Sequence, residues 1–387
     1  ARTLRVRGPI ASPGELNLIT GTLAVNLDTL GRQTYSSLSY SELDRSTPAI
    51  DISQSLTAGT IRLIDFGGNT IDNEFSVRTT TPLLADRDLL VSTRGKAELA
   101  DLRAGNDLLI ATVGGSKDEG LRFDHTLSAG NDLQVVGWRV TIAPEGRLFA
   151  KRNVEIGVAD PANLGGDNTA FLNNQGKIVA GREVKLALSG VGGRNSGTIL
   201  AGGDINLLAT VKLSPLLYDT PGPPKGEQYR SLSPFTNTTF RPQMLANIGG
   251  SISAGQDIVL GYGPNSGGRI SANRDMYLVA TMGYWVAPGT PLTGGIFRAG
   301  RDLHVLNLLE SQEPIGPDRF FAERDVTLAD VDPYWSRRPY AYHYDDFPLP
   351  SVSNSYTIRA GRDIIGNFTR PFTNAGQLVA AGRLILT

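Results

Sequence analysis

RAGRD stands at residues 298–302 and returns at 359–363. The phrase is too widely spaced for a local motif and too closely spaced for a duplicated domain. With its Asp as position zero, eleven related copies centre on Asp88, Asp107, Asp132, Asn153, Glu183, Asp204, Asp257, Asp275, Asp302, Asp325 and Asp363. The steps between them are 19, 25, 21, 30, 21, 53, 18, 27, 23 and 38 residues. A basal period near 20 fits, with the longer steps carrying insertions or an unrecognised turn of the same kind.

Four positions hold across the copies. Five before zero is apolar, from Leu83 and Leu102 through Phe297, Phe320 and Ile358; three before zero is Ala in each; one and three after are aliphatic or Met, except Gly366 in the last copy. Alternation with period two is the pattern of a strand and not of a helix. A straight strand would bury the position before zero, which is Arg in seven copies (Arg87, Arg152, Arg182, Arg274, Arg301, Arg324, Arg362). One buried unpaired guanidinium per repeat is prohibitively expensive. The chain must therefore bend between the Ala and the first aliphatic, so the phrase is a corner, and it recurs because the chain coils. The Gly before the Arg suits a corner with positive φ. The stacked zero-position carboxylates are expected to be offset by Asx-turn bonds to the corner backbone and by the adjacent Arg.

Short strands and corners repeating about every 20 residues describe an all-β solenoid, with rungs about 4.8 Å apart. The expectation is fifteen to eighteen rungs in a rod on the order of 75 Å long. Residues 83–387 carry the clear repeats; residues 1–82 are read as degenerate N-terminal rungs of the same solenoid, SLTAGTIRLID (55–65) being one that lacks a residue.

A second half-phrase precedes the corner in NNQGKIVAGREVKL, RNSGTILAGGDINL, PNSGGRISANRDMYL and TNAGQLVAAGRLIL, giving N-x-G-x-I-x-A-G-x-D-[IL]-x-L. In these segments the chain resembles the haemagglutinin repeats of the filamentous haemagglutinin family. That family comprises long exoproteins of bacterial two-partner secretion, contact-dependent growth inhibition effectors among them. The resemblance implies a right-handed parallel β-helix and a secreted, cell-surface protein. It also implies export through an outer-membrane two-partner secretion transporter, and a stalk or adhesion role toward an outer-membrane protein or surface glycan (lipopolysaccharide) of a target cell.

Composition is compatible with this. The chain of 387 residues has 45 Gly, no Cys, and 37 basic against 38 acidic residues. Absent cysteine excludes disulfides, thiolate metal sites and a Cys nucleophile. The charge balance makes nucleic acid and anionic membrane poor partners. No apolar run approaches the ~18–20 residues of a membrane-spanning helix. The opening ARTLRVRGPI carries no initiator Met and no signal peptide, so an excised segment of a longer protein is expected, as a monomer.

Two long interruptions break the repeat, at 210–249 and 330–357, with a milder one at 282–295. The second holds the candidate receptor-binding residues Tyr334, Trp335, Arg337, Arg338, Tyr340, Tyr342, His343 and Tyr344. Rigid rings with Arg recur at binding hot spots; the same rings could instead cap the rod wall. The competing enzymatic reading is a β-helical polysaccharide lyase or hydrolase. Glycosidic hydrolysis needs paired carboxylates, and Asp345–Asp346 are neighbours whose side chains diverge in an extended segment. No cofactor or metal is expected, since no two of the three His have ligand spacing and the acids are spread one per rung. His304 in DLHVL should face outward, Asp124–His125 lack a nucleophile elbow, and GYGPNSGG (261–268) reads as a turn.

Overall fold

The computed structural model describes residues 4–20, 23–27, 33–37, 50–65, 77–93, 97–112, 120–137, 139–158, 171–188, 192–207, 245–262, 265–280, 294–306, 319–329, 352–354, 356–368 and 371–387. Among these residues the chain is all-β. It forms a parallel β-helix in which each complete rung has three strands. The first precedes the corner phrase, the second follows it, and a third, shorter strand leads back to the first.

First and second strands of successive rungs pair in parallel within one long sheet; the third strands build a separate nine-stranded parallel sheet and, near the C-terminus, a two-stranded one of Val352–Asn354 with Phe372–Asn374. The pattern is visible in one rung: Lys177–Ala180, the corner, Glu183–Leu188, then Gly193–Asn195. Each strand pairs one repeat on, Ile178 with Ile199 and Ala180 with Ala201, and Val184 with Ile205.

The apolar columns inferred from the sequence stack in register along the rod. Leu83, Leu102, Leu127, Leu148, Ile178, Ile199, Ile252, Ile270, Phe297, Phe320 and Ile358 are consecutive partners, each 2% exposed or less. The Ala column and the aliphatics after the corner face the same interior. The preceding arginines are exposed, Arg87, Arg152, Arg182, Arg274, Arg301, Arg324 and Arg362 alike. The bend that keeps guanidinium in water while aliphatics stack is therefore present. Gly366 fits for a separate reason. A side chain there would meet the Phe368 ring and Leu386, so Phe368, stacked at 4.2 Å on Phe372, occupies the space its column would otherwise fill.

Fourteen rungs stack among the described residues, with first strands starting at Ile10, Leu56, Leu83, Leu102, Thr126, Arg147, Lys177, Thr198, Ser251, Arg269, Ile296, Arg319, Thr357 and Gln377. Thirteen steps give a rod about 62 Å long, fewer rungs than the sequence suggested. The reason lies in the long steps. Ala201 pairs directly with Ala254 and Ala322 with Ala360, so the steps of 53 and 38 residues carry insertions and no hidden rung. The N-terminal segment joins the same sheet: Leu56 pairs with Leu83 and Ala58 with Ala85, then Ile61 with Leu89, one residue short at the corner. Before it, Ile10–Thr20 pairs with this strand through an irregularity between Ser12 and Glu15.

The corner glycines differ from expectation. The described glycines with positive φ are Gly192, Gly249 and Gly267, none of them in the corner phrase. What the corner needs is close approach: a Cβ on Gly130 would overlap the carbonyl oxygen of Gly105, and one on Gly202 that of Gly181. Successive corners stack backbone on backbone, Gly130 N–H donating to Ala104 O and Gly202 N–H to Ala180 O.

Candidate functional site

Two ladders of polar side chains run along the rod. The first is the zero-position column. Asp275 Oδ1 accepts from the Asp302 backbone N–H at 3.2 Å and from Arg301 Nε at 2.7 Å. Asp302 repeats both contacts with Asp325 N and Arg324, Asp325 with Asp363 N and Arg362, and Asp257 with Asp275 N and Arg274. Each carboxylate is thus held by the rung above it. The local Asx turn and adjacent-Arg pairing expected from the sequence are replaced by bonds between rungs, because in-register stacking brings the next corner's N–H and guanidinium nearer than the residue's own. The nearest same-rung contacts are long, Arg324–Asp325 at 3.7 Å and Arg362–Asp363 at 3.8 Å.

The electrostatic consequence follows the arginines. Arg152 beside Asp132 holds that carboxyl below its ordinary range against its own desolvation, and Arg301 does the same for Asp275. Asp107 has no such partner, since Asn131 precedes the zero position of the next rung. Burial, with Asp132 and Asp88 on either side, pushes Asp107 upward despite the N–H it accepts from Asp132. The column is a structural spine of paired charges.

The second ladder was not recognised in the sequence. Asn174 Nδ2 donates to Asn195 Oδ1 at 2.6 Å, Asn195 Nδ2 to Asn247 Oδ1 at 2.7 Å, and Asn247 Nδ2 to Asn265 Oδ1 at 2.8 Å. Asn265 then donates to Ile296 O. All four side chains are fully buried. A second, shorter pair joins Asn354 to Asn374 at 2.7 Å. All but Asn354, which precedes Ser355 and Tyr356, are the Asn of an N-x-G phrase, and the glycines beside them leave room: a Cβ on Gly268 would strike the Asn247 amide. Toward the N-terminus the same column is apolar, Phe123 pairing with Ile142 and Ile142 with Asn174. Asn174 Oδ1 faces that apolar end and has no partner.

The eight aromatic and basic candidates from Tyr334 to Tyr344 lie outside the described residues, as do Asp345 and Asp346. The described strands nevertheless locate where that segment is inserted. It enters after Val326–Ala329, a second strand, and rejoins at Val352–Asn354, a third strand. The segment between Ile205–Asn206 and Leu245–Asn247 is inserted at the equivalent place, as are those between Asn153–Val158 and Phe171–Asn174 and between Leu56–Asp65 and Val77–Thr79. An antiparallel hairpin, Leu23–Leu27 with Gln33–Ser37, occupies the same point of the first rung. The other two corners keep nearly constant length. Every long interruption flanked by a described second and a described third strand is thus inserted at one corner of the rung, along one edge of the rod. The last residues of both expected insertions belong to rungs, Leu245–Asn247 and Val352–Asn354 being third strands.

The remaining chemical candidates are placed as follows. His304 is half-buried on the outward side, stacked on Tyr277 with centroids 4.6 Å apart; burial lowers its pKa, opposed by Asp302 and Asp275. Asp124 pairs with Arg122 beside an exposed His125. In the GYGPNSGG stretch, Asn265 belongs to the amide ladder and Gly267 adopts φ of +62°, so the segment is committed to structure. Among the described residues no cluster of His, Asp or Glu is arranged to hold a metal ion.

Comparison with protein-family models, with curated proteins and with solved structures finds no match for the chain. The fold itself defines its class: a parallel β-helix whose located insertions enter at one edge.

Proposed function

We propose that this chain is a segment of a secreted, cell-surface filamentous exoprotein of bacterial two-partner secretion, serving as a rigid stalk and receptor-recognition module. The observation that carries this reading is that the insertions bounded by described second and third strands all enter at one edge of an in-register rod. Ladder bonding between rungs gives stiffness along the axis, while insertions at one corner place variable sequence on one side without disturbing the stack. The likeness of the N-x-G and A-G-x-D phrases to haemagglutinin repeats supports the same reading. In this mechanism the stalk holds an aromatic, Arg-containing segment at 334–344 toward an outer-membrane protein or surface glycan of a target cell. Contact-dependent inhibition effectors are the member of that class whose target recognition such a segment would serve. Presentation requires no catalysis.

The test is deletion of residues 333–350. Target-cell binding by the purified chain should be lost while the β-type circular dichroism is retained; undiminished binding removes this segment from the mechanism. Incubation with pectate and alginate should release no unsaturated product, and turnover would replace the stalk reading with the lyase.

A further inference from the structure

The balance of 37 basic and 38 acidic residues conceals a segregation of charge. The outer face of the first strands, followed over the ten rungs from Thr126–Ala129 to Gln377–Ala380, lies opposite the corner where the located insertions enter. Its outward positions over these ten rungs carry Arg147, Lys151, Lys177, Arg269, Arg319 and Arg359, all exposed and none paired with a carboxylate among the described residues. The one acid there, Glu323, is taken by Arg298. The neighbouring corner arginines differ in kind, since Arg152, Arg274, Arg301, Arg324 and Arg362 are each neutralised by an Asp.

Arg147 and Lys177 are direct cross-rung partners. Like charges so opposed destabilise a sheet, and here nothing intervenes between them. Among these cations lie apolar side chains in consecutive register: Phe149 beside Val179 beside Leu200, with Phe149 41% and Leu200 42% exposed. Strand alternation would accept any polar residue at these sites. The columns lie in one sheet, so these cations share one face: Arg147 and Lys177 are one rung apart, about 4.8 Å, Arg269 lies three rungs beyond Lys177, and Arg319 two rungs beyond Arg269. Basic groups interleaved with exposed aromatic and aliphatic side chains are the composition that engages the headgroup region of a membrane. A planar array matches a plane of phosphates better than a single polyanionic strand.

We propose that this face docks on an anionic bilayer surface, its unpaired cations against lipid phosphates and Phe149, Val179 and Leu200 entering the headgroup layer. It lies on a different side of the rod from the insertion edge, so loss of either activity leaves the other measurable.

The experiment is cosedimentation of the full chain with vesicles of equal phosphatidylglycerol and phosphatidylcholine, against pure phosphatidylcholine and against soluble alginate. The chain should bind the anionic vesicles, fail on the zwitterionic ones, and weaken as salt rises from about 0.1 to about 0.5 M. Arg147→Gln/Lys177→Gln/Arg269→Gln/Arg319→Gln should bind at least about tenfold more weakly. Phe149→Ser/Leu200→Ser should weaken binding and leave the salt dependence unchanged. Arg122→Gln/Arg194→Gln, on the outer face of the third strands, is the control and should bind as wild type; matching circular dichroism secures the fold of each variant. Failure to bind anionic vesicles, equal binding by the four-Gln variant, or binding to alginate as tight as to vesicles would each overturn the proposal.

Discussion

Replacing Asn195 by Leu should cost far more than its size change suggests. Asn195 is fully buried, accepts from Asn174 Nδ2 at 2.6 Å and donates to Asn247 Oδ1 at 2.7 Å. Leu leaves a buried donor below and a buried acceptor above without these partners. Each stranded group costs about 1–3 kcal/mol, while the added apolar burial returns about 1–2 kcal/mol. Taking the middle of each range, the net loss should be about 2–3 kcal/mol. Steric exclusion is not the cause, because Ile142 fills the same column one rung before Asn174.

The decisive comparison is Asn174→Leu/Asn195→Leu/Asn247→Leu/Asn265→Leu. With the whole ladder removed, few stranded groups remain, since replacing both members of a hydrogen-bonded pair by apolar groups is nearly neutral. Four substitutions should therefore destabilise less than the single one. Urea unfolding followed by circular dichroism reads the order of midpoints. Hydrogen exchange of peptides covering 193–206 and 245–262 localises the change, which matters because a solenoid need not unfold in one step. A quadruple variant losing the sum of four single losses, or a single variant losing under about 1 kcal/mol, would refute the reasoning.

Four further outcomes are expected. Gly130→Ala places a Cβ on the Gly105 carbonyl and should force two rungs apart, lowering the thermal midpoint sharply, whereas Lys151→Ala at the same corner position should leave it nearly unchanged. Asp107 is pushed upward in the folded state, so its favourable contribution is complete below the unfolded carboxylate pKa and lost as pH rises through the folded value. Asp107→Asn should accordingly stabilise at pH 7 and not at pH 3. Asp132, Asp257 and Asp275 are lowered, so their contribution is complete above the unfolded pKa and lost as pH falls through the folded values; Arg301→Gln should flatten that acid-side loss in a pH titration of the urea midpoint. Lastly, Gly366→Leu should destabilise alone by colliding with Phe368, and adding Phe368→Ala should restore much of the loss by returning the column to the aliphatic pattern of Leu328 and Leu386.

The core columns and the outward arginines were legible because each follows from period-two alternation plus the expense of burying an unpaired guanidinium. The partner of each Asp was not legible, because a single repeat contains both the same-rung and next-rung arginine, and only register chooses between them. The corner glycines misled for a related reason: in one chain Gly signals positive φ, whereas a stack of corners requires it for backbone proximity to the neighbouring rung. The amide ladder was hidden because Asn before Gly reads as a turn. Its signal was nevertheless available in the constant offset, since Asn174, Asn195, Asn354 and Asn374 each stand nine residues before the zero position, with Asn247 and Asn265 at ten, each followed by two glycines within the next three residues. The edge of insertion could also have been found, by asking which of three corners varies in length. The basic face could not be read from net charge, which sums over faces that the fold separates.

The central claim is direct stacking of every rung, in register, across the long insertions. The chain has no Cys, so Ser128→Cys/Arg359→Cys can carry two spin labels on outward positions of one column. That column runs Ser128, Phe149, Val179, Leu200, Ser253, Ser271, Arg298, Phe321, Arg359, eight steps in all. Pulsed electron–electron double resonance should give a narrow distribution centred near about 38 Å. A distance near about 48 Å, as two additional rungs within the long steps would produce, or a broad distribution, would contradict the account.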